Sequence, residues 1–223
     1  VLQTIPKPPT KPSRERINVA LLLATMGTVL FAGFLQSPDV PGAAMFTCAI
    51  MAILGSHEMG HKLLADKHEV EATYPNFIPG PPPIGTFGAV IQQKSLPPNR
   101  DALFDIGFTG PMMGFIVTVI VALIGVQLST RVPPEEVAEG AWYIPVPLLF
   151  RFFTIVFPPS GTGDVIRLHP VAFAAWVGMF VTMLNLVPTG MFDGGHVARS
   201  LVGRREHQIL SYLGIILLTF ISY

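Results

Sequence analysis

The sequence predicts an all-α polytopic membrane protein, with about five transmembrane helices and a short re-entrant β-hairpin between the second and the third. Three observations predict it. Half of the 223 residues are hydrophobic and only 13% are charged, and the mean hydropathy is +0.55, far from the balance of an ordinary soluble domain. Apolar runs recur along the chain at about the 19-residue length that a hydrocarbon core demands. Between two of these runs, Pro75, Pro79, Pro81, Pro82 and Pro83 forbid a helix, and the stretch from Thr86 to Gln93 that follows has the β-branched and aromatic character of a strand.

Residues 1–16 form a Pro-, Lys- and Arg-rich segment with no small-residue cleavage site, so the span behind it is a membrane anchor rather than a secretory leader. The spans run from Ile17 to Leu35, Ala43 to Ala65, Ile106 to Leu128 and Val171 to Val187, with a fifth from Gln208 to Tyr223. The run from Ala141 to Phe157 is also apolar. Pro145, Pro147 and Arg151 interrupt it, and Trp142 and Tyr143 mark its start, so it reads as interfacial or re-entrant. Gly110 and Gly114 open the third span at the small-x-x-x-small spacing that lets helices approach closely. The chain starts at Val1 rather than methionine, and its last apolar run reaches Tyr223 without a polar stop. It therefore reads as a membrane core, residues 17–223, taken from a longer protein.

Charge orders these spans. Lys and Arg balance Asp and Glu at 14 each, so no global basic field points toward nucleic acid. With a cytoplasmic N-terminus, Lys7, Lys11, Arg14, Arg16, Lys62, Lys67, Lys94, Arg100, Arg199, Arg204 and Arg205 lie inside, against Arg131, Arg151 and Arg167 outside. That asymmetry is the positive-inside pattern. The lone Cys48 excludes an internal disulfide framework and a cysteine-rich metal site.

The chemistry concentrates in the second span, where His57, Glu58 and His61 form a His-Glu-x-x-His motif. On a helix this spacing brings two imidazoles to one face at i and i+4, where they can bind zinc with the glutamate as general base. Each ionisable residue within a span costs about 2.5–3.5 kcal/mol on insertion scales, so three within five positions need a compensating partner such as a metal. A polar helix face in the bundle, or histidines of an ion pathway, is the alternative. Catalytic zinc takes three protein ligands, and Asp193 is the best third candidate. It lies in a segment from Asn185 to Gly195 whose Pro188, Gly190, Gly194 and Gly195 break the helix at the end of the fourth span, on the same predicted side as His61. An aspartate beside glycine is also a common turn or cap residue, and Asn185 could equally cap a helix or bond between helices. His196 could reach the same region or lie behind it. His68, His169 and His207 fall near span ends and read as interface residues.

Taken together, the histidine motif and the later Asn185-Leu186-Val187-Pro188 and Asp193-Gly194 segments resemble the site-2 protease family of intramembrane zinc metalloproteases, with both halves in the family's order. Leu186 stands where many members have proline, and Phe192 where leucine usually precedes the aspartate. The Gly85-Thr86-Phe87-Gly88-Ala89-Val90-Ile91 stretch and Gly110-Pro111 are similar to the branch that includes the chloroplast EGY-type proteases. The resemblance implies one zinc ion on His57, His61 and Asp193, Glu58 activating its water, and Asn185 holding the substrate carbonyl or oxyanion. It also implies a membrane-spanning protein substrate in the lipid bilayer and an unwound substrate bound by strand addition to the hairpin. A metal transporter and a proteolytically silent scaffold are the alternative functions. A transporter needs ionisable positions spread along a path through the bilayer, whereas here they gather near one predicted surface. A prokaryotic plasma membrane with the site toward the cytoplasm is the default location, and a plastid membrane the alternative.

Overall fold

The computed structural model describes residues 15–137, 140, 141, 143–190 and 192–221. Lys7, Lys11, Arg14, Trp142, Met191 and Tyr223 lie outside the described residues.

Two long helices carry the motif and its support. α1 spans Glu15–Gln36 and α2 spans Val40–Lys67. α2 starts sharply because Asp39 caps it, accepting a hydrogen bond from the Gly42 amide at 2.8 Å, with Pro41 in the first turn. The Ser37 hydroxyl also donates to this carboxylate, and the two bonds hold the Asp39 carboxyl below its usual range. α3, Arg100–Leu128, begins in the same way, with the Asn99 side chain accepting from the Ala102 amide at 2.7 Å.

Glycines decide how closely α2 and α3 pack. A Cβ added at Gly60 of α2 would stand 2.7 Å from the Thr109 carbonyl oxygen of α3, and one added at Gly114 of α3 would stand 3.0 Å from the His57 Cβ. The next layer repeats the device, since a Cβ at Gly178 would lie 2.7 Å from the Thr118 hydroxyl. The core between these helices is aliphatic and aromatic: Phe46, Ile50, Ile53, Ala122, Val126, Val171 and Val177 are all buried.

The hairpin expected between the second and third spans is present. β1 (Asn76–Pro79) pairs antiparallel with β2 (Thr86–Val90), with Asn76 opposite Val90 and a bulge after Ile78. Its tip rests along α1: the Thr28 hydroxyl donates to the Gly85 carbonyl at 2.7 Å, and the Gln36 amide donates to the Pro83 carbonyl at 2.9 Å. Gly85 has φ +86°, and a side chain there would run into the α1 backbone at Thr28 and Val29. The hairpin tip therefore lies beside α1, from the middle of that helix to its last residue.

The remaining elements are short. α4 is Leu148–Val156, so the apolar run at 141–157 is helical over nine residues only, after the extended Pro145-Val146-Pro147 lead. β3 (Thr130–Val132) lies between β4 (Ser160–Gly161), which is parallel to it, and β5 (Val165–Arg167), which is antiparallel. Strands of two or three residues are too short to show alternation, and this sheet was not legible in the sequence. α5 is Pro170–Asn185, α6 is Asp193–Leu201 and α7 is Arg204–Ile221.

The expected count of five transmembrane helices is not confirmed. Among the described residues, three helices are long and apolar enough to cross a membrane: residues 16–36, 40–67 and 100–128. α5 has 16 residues, about 24 Å at 1.5 Å per residue, short of a hydrocarbon core of about 30 Å. It stops at Asn185 because Pro188 and the glycine-rich turn cannot extend it. α7 starts with three charged residues, Arg204, Arg205 and Glu206, and its last described residue is Ile221.

Candidate metal centre

One face of α2 turns His57, Glu58 and His61 inward together, as the i, i+1, i+4 spacing requires, and all three are buried. The i, i+4 pair brings His57 Nε2 and His61 Nε2 within 3.2 Å. Asp193 reaches them from the other end of the chain. Its Oδ2 lies 3.1 Å from His57 Nε2, and its Oδ1 lies 3.3 Å from His61 Nε2.

Asp193 arrives there because the segment after α5 folds tightly. Gly190 takes φ +51°, and Cβ atoms at Gly194 and Gly195 would collide with the carbonyls of Leu186 and Gly190. The chain can therefore double back and begin α6 at the aspartate, where the positive end of the helix dipole favours its charge.

The orientation of His61 is fixed from behind. Its Nδ1 stands 2.7 Å from the Ile106 carbonyl of α3, and a carbonyl only accepts, so Nδ1 carries the proton. In the neutral ring, Nε2 then presents a lone pair toward His57 and Asp193. Lone pairs of imidazole and carboxylate converging on one point repel one another unless a positive charge sits between them. The distances agree with a metal. Bonds of about 2.0–2.1 Å in a tetrahedron set ligand atoms about 3.3 Å apart; the two imidazole nitrogens stand 3.2 Å apart, and a different Asp193 oxygen faces each of them, at 3.1 and 3.3 Å. Among the described residues, these three side chains form the group able to hold a metal ion.

A cavity of about 540 Å³ opens over this group, lined by Glu58, Asn185 and His196 as well as the trio, with Ala89, Val90 and Ile91 of the hairpin and its exit on one side. The backbone of Ile91 lies beside the Glu58 carboxylate at the cavity wall. Asn185 is the last residue of α5, and its side-chain nitrogen stands 3.4 Å from His57 Nε2. Every residue singled out as a site candidate in the sequence thus meets the others here. The three remaining histidines do not join them: His68 is bonded to Asp105 at 2.8 Å, His169 caps α5, and His207 lies on α7.

Three contributors had no signal in the motif itself. The Ile106 carbonyl and the Ile91 backbone act through main-chain atoms, which any residue type supplies. Gly110 was read as a packing residue. The structure shows what it packs against: a Cβ at Gly110 would fall inside the His61 ring.

The profile for "Peptidase family M50" matches residues 45–221 of this chain. Among curated proteins, the chain is similar to "Probable zinc metalloprotease EGY1, chloroplastic" of Arabidopsis thaliana, 30% identical over 174 residues, covering 75% of this chain and 31% of that protein. It is also similar to "Probable zinc metalloprotease EGY2, chloroplastic" of the same plant, 31% identical over 189 residues, 82% of this chain and 32% of that protein. A third relative, "Probable zinc metallopeptidase EGY3, chloroplastic", is 29% identical over 226 residues, 90% of this chain and 38% of that protein. The chain spans about a third of the length of the curated relatives it matches. No solved structure matches it. The match runs from the start of the histidine helix to the end of α7 and takes in both halves of the metal-binding group, and the chain belongs to peptidase family M50.

Proposed function

We propose that this chain is the core of an intramembrane zinc endopeptidase, which hydrolyses peptide bonds in or near the transmembrane segments of membrane protein substrates. The observation that carries the reading is the convergence of His57, His61 and Asp193, with one ligand atom each within 4.8 Å of the others, beside a buried Glu58 in one cavity. His57, His61 and Asp193 would hold the zinc, which supplies Lewis-acid polarisation of water and of the scissile carbonyl. Glu58 takes a proton from the attacking water and passes it to the leaving amide nitrogen. Asn185, at the cavity wall, donates to the substrate carbonyl. A transporter reading finds no support in a cluster so confined. A silent scaffold would not need the base beside the ligands.

The C-terminal end of α2 and the N-terminal end of α3 carry Lys62, Lys67 and Arg100, and α6 adds Arg199. By the positive-inside pattern this end faces the cytoplasm, or the stroma if the membrane is a plastid one. Water reaches the site from that side, past the turn at 188–195.

A helical substrate hides its carbonyls in i to i−4 bonds, so it must unwind before cleavage. Among the described residues β2 is paired on one edge only, by β1, and its C-terminal residues line the cavity. An unwound substrate strand adds to the other edge. Proline at Val90 removes a backbone donor from this strand and bends it. Val90→Pro is expected to lower turnover while zinc content, measured by mass spectrometry, stays at one per chain; unchanged turnover would sink the strand-addition idea.

The proposal as a whole is tested by reconstituting the chain in lipid with a tagged single-span reporter. Cleavage that stops with a zinc chelator and returns on adding zinc is the expected result. Reporters left intact by zinc-loaded protein, across several span sequences, would overturn the reading.

A further inference from the structure

Hydration of a peptide carbonyl moves its π electron pair onto oxygen, and that charge must be met by hydrogen-bond donors placed in advance. Apart from the metal-binding trio and Glu58, the cavity wall offers three side chains with N–H donors: Gln93, Asn185 and His196. Gln93 pairs with Ala72 just past the hairpin, where the bridge continues the β1–β2 ladder. Asn185 ends α5 beside His57. His196 alone comes from α6.

α6 begins at Asp193, and His196 follows three residues later, so the two side chains share one helix face. α3 lets that face approach by leaving a side chain out. A Cβ at Gly107 would stand 3.2 Å from the His196 Cβ and 3.4 Å from the Asp193 carbonyl. The charged and titratable groups around His196 are Asp193, His61, Arg199 and His207. His196 nevertheless stands outside the group whose ligand atoms converge within 4.8 Å. It is a cavity-lining imidazole that the metal leaves free.

We propose that His196 is a further catalytic residue of this centre: from α6 it donates a ring N–H to the scissile carbonyl oxygen as the carbon becomes tetrahedral. The role rests on the peptidase reading above. Water oxygen bonds to the carbonyl carbon, its proton goes to Glu58, and the displaced electron pair on oxygen is held by His196 and Asn185. When the C–N bond breaks, the pair returns to re-form the carbonyl and Glu58 gives its proton to the amine. His196 keeps its own proton throughout, so its contribution is positional charge stabilisation and adds no step to the proton transfers.

The test uses the reconstituted chain with His196→Phe and His196→Gln. The phenylalanine variant is expected to lose about 10²-fold in kcat, the scale of one deleted oxyanion donor, with KM within about twofold and zinc still at one per chain. Glutamine restores an N–H donor and should recover part of the loss. A second readout needs no turnover. A single-span peptide with a phosphonamidate in place of its scissile amide has tetrahedral oxygens, and it should bind the phenylalanine variant about 10²-fold more weakly. The parent peptide should bind both forms alike.

Zinc lost from both variants would make His196 a ligand or a structural support. Unchanged kcat, or a loss confined to KM, would remove it from the transition state. Either result overturns the proposal while wild-type cleavage stands. Failure of the peptidase reading would instead show as wild-type protein that cleaves nothing and is indistinguishable from Glu58→Ala.

Discussion

Glu58→Gln will bind zinc normally and cleave about 10²–10⁴-fold more slowly than the parent chain, the range that removal of a positioned general base produces. Glutamine matches the carboxylate in shape but cannot take up the proton of the attacking water, so the chemistry is lost and the geometry kept. The buried setting sharpens the result. Glu58 is buried at the cavity wall beside His57 and His61, and among the described residues no other carboxylate except Asp193 lines that wall to act as a substitute base. Turnover of the lipid-reconstituted reporter, read beside zinc content and melting temperature, separates this outcome from misfolding. A glutamine variant that cleaves at the parental rate would assign the proton transfer elsewhere.

The second large effect comes from one methyl group. Gly110→Ala puts a Cβ where the His61 imidazole now sits. The ring cannot swing aside freely, because Nδ1 is tied to the Ile106 carbonyl at 2.7 Å. To draw back, α3 would have to give up its close packing on α2, where Gly60 sits against the Thr109 carbonyl. We expect zinc affinity to fall by at least about 10-fold, the lower end of what disturbing a ligand's support produces, with activity falling in step. Competition with a graded chelator measures it. Gly27→Ala is the matched control, since a Cβ there meets nothing within 4 Å; equal zinc affinity in the two alanine variants would refute the steric account.

How much of this was legible in the sequence follows from where the signals reside. The histidine helix was readable from its spacing, and the distant aspartate from the family resemblance added to its helix-breaking segment; the structure brings both to one cavity. The hairpin was readable from prolines that no helix tolerates. The length of α5 was not, since an apolar run to Val187 hides the point at which Pro188 and the glycine turn stop the helix. The β3–β4–β5 sheet was missed because its strands are shorter than the alternation that would announce them. Gly110 was read correctly as a close-packing residue, but its partner, an imidazole rather than a backbone, is a tertiary fact. Main-chain contacts from Ile91 and Ile106 leave no mark on composition.

The two halves of the metal-binding group lie 136 residues apart along the chain. A ribosome therefore releases His57, Glu58 and His61 into the membrane long before Asp193 exists. Until α6 is made and docked against α3, the growing polypeptide holds a base and two histidines but no third ligand. The group able to hold a metal ion is therefore completed only once α6 has been made, well after α2 has left the ribosome.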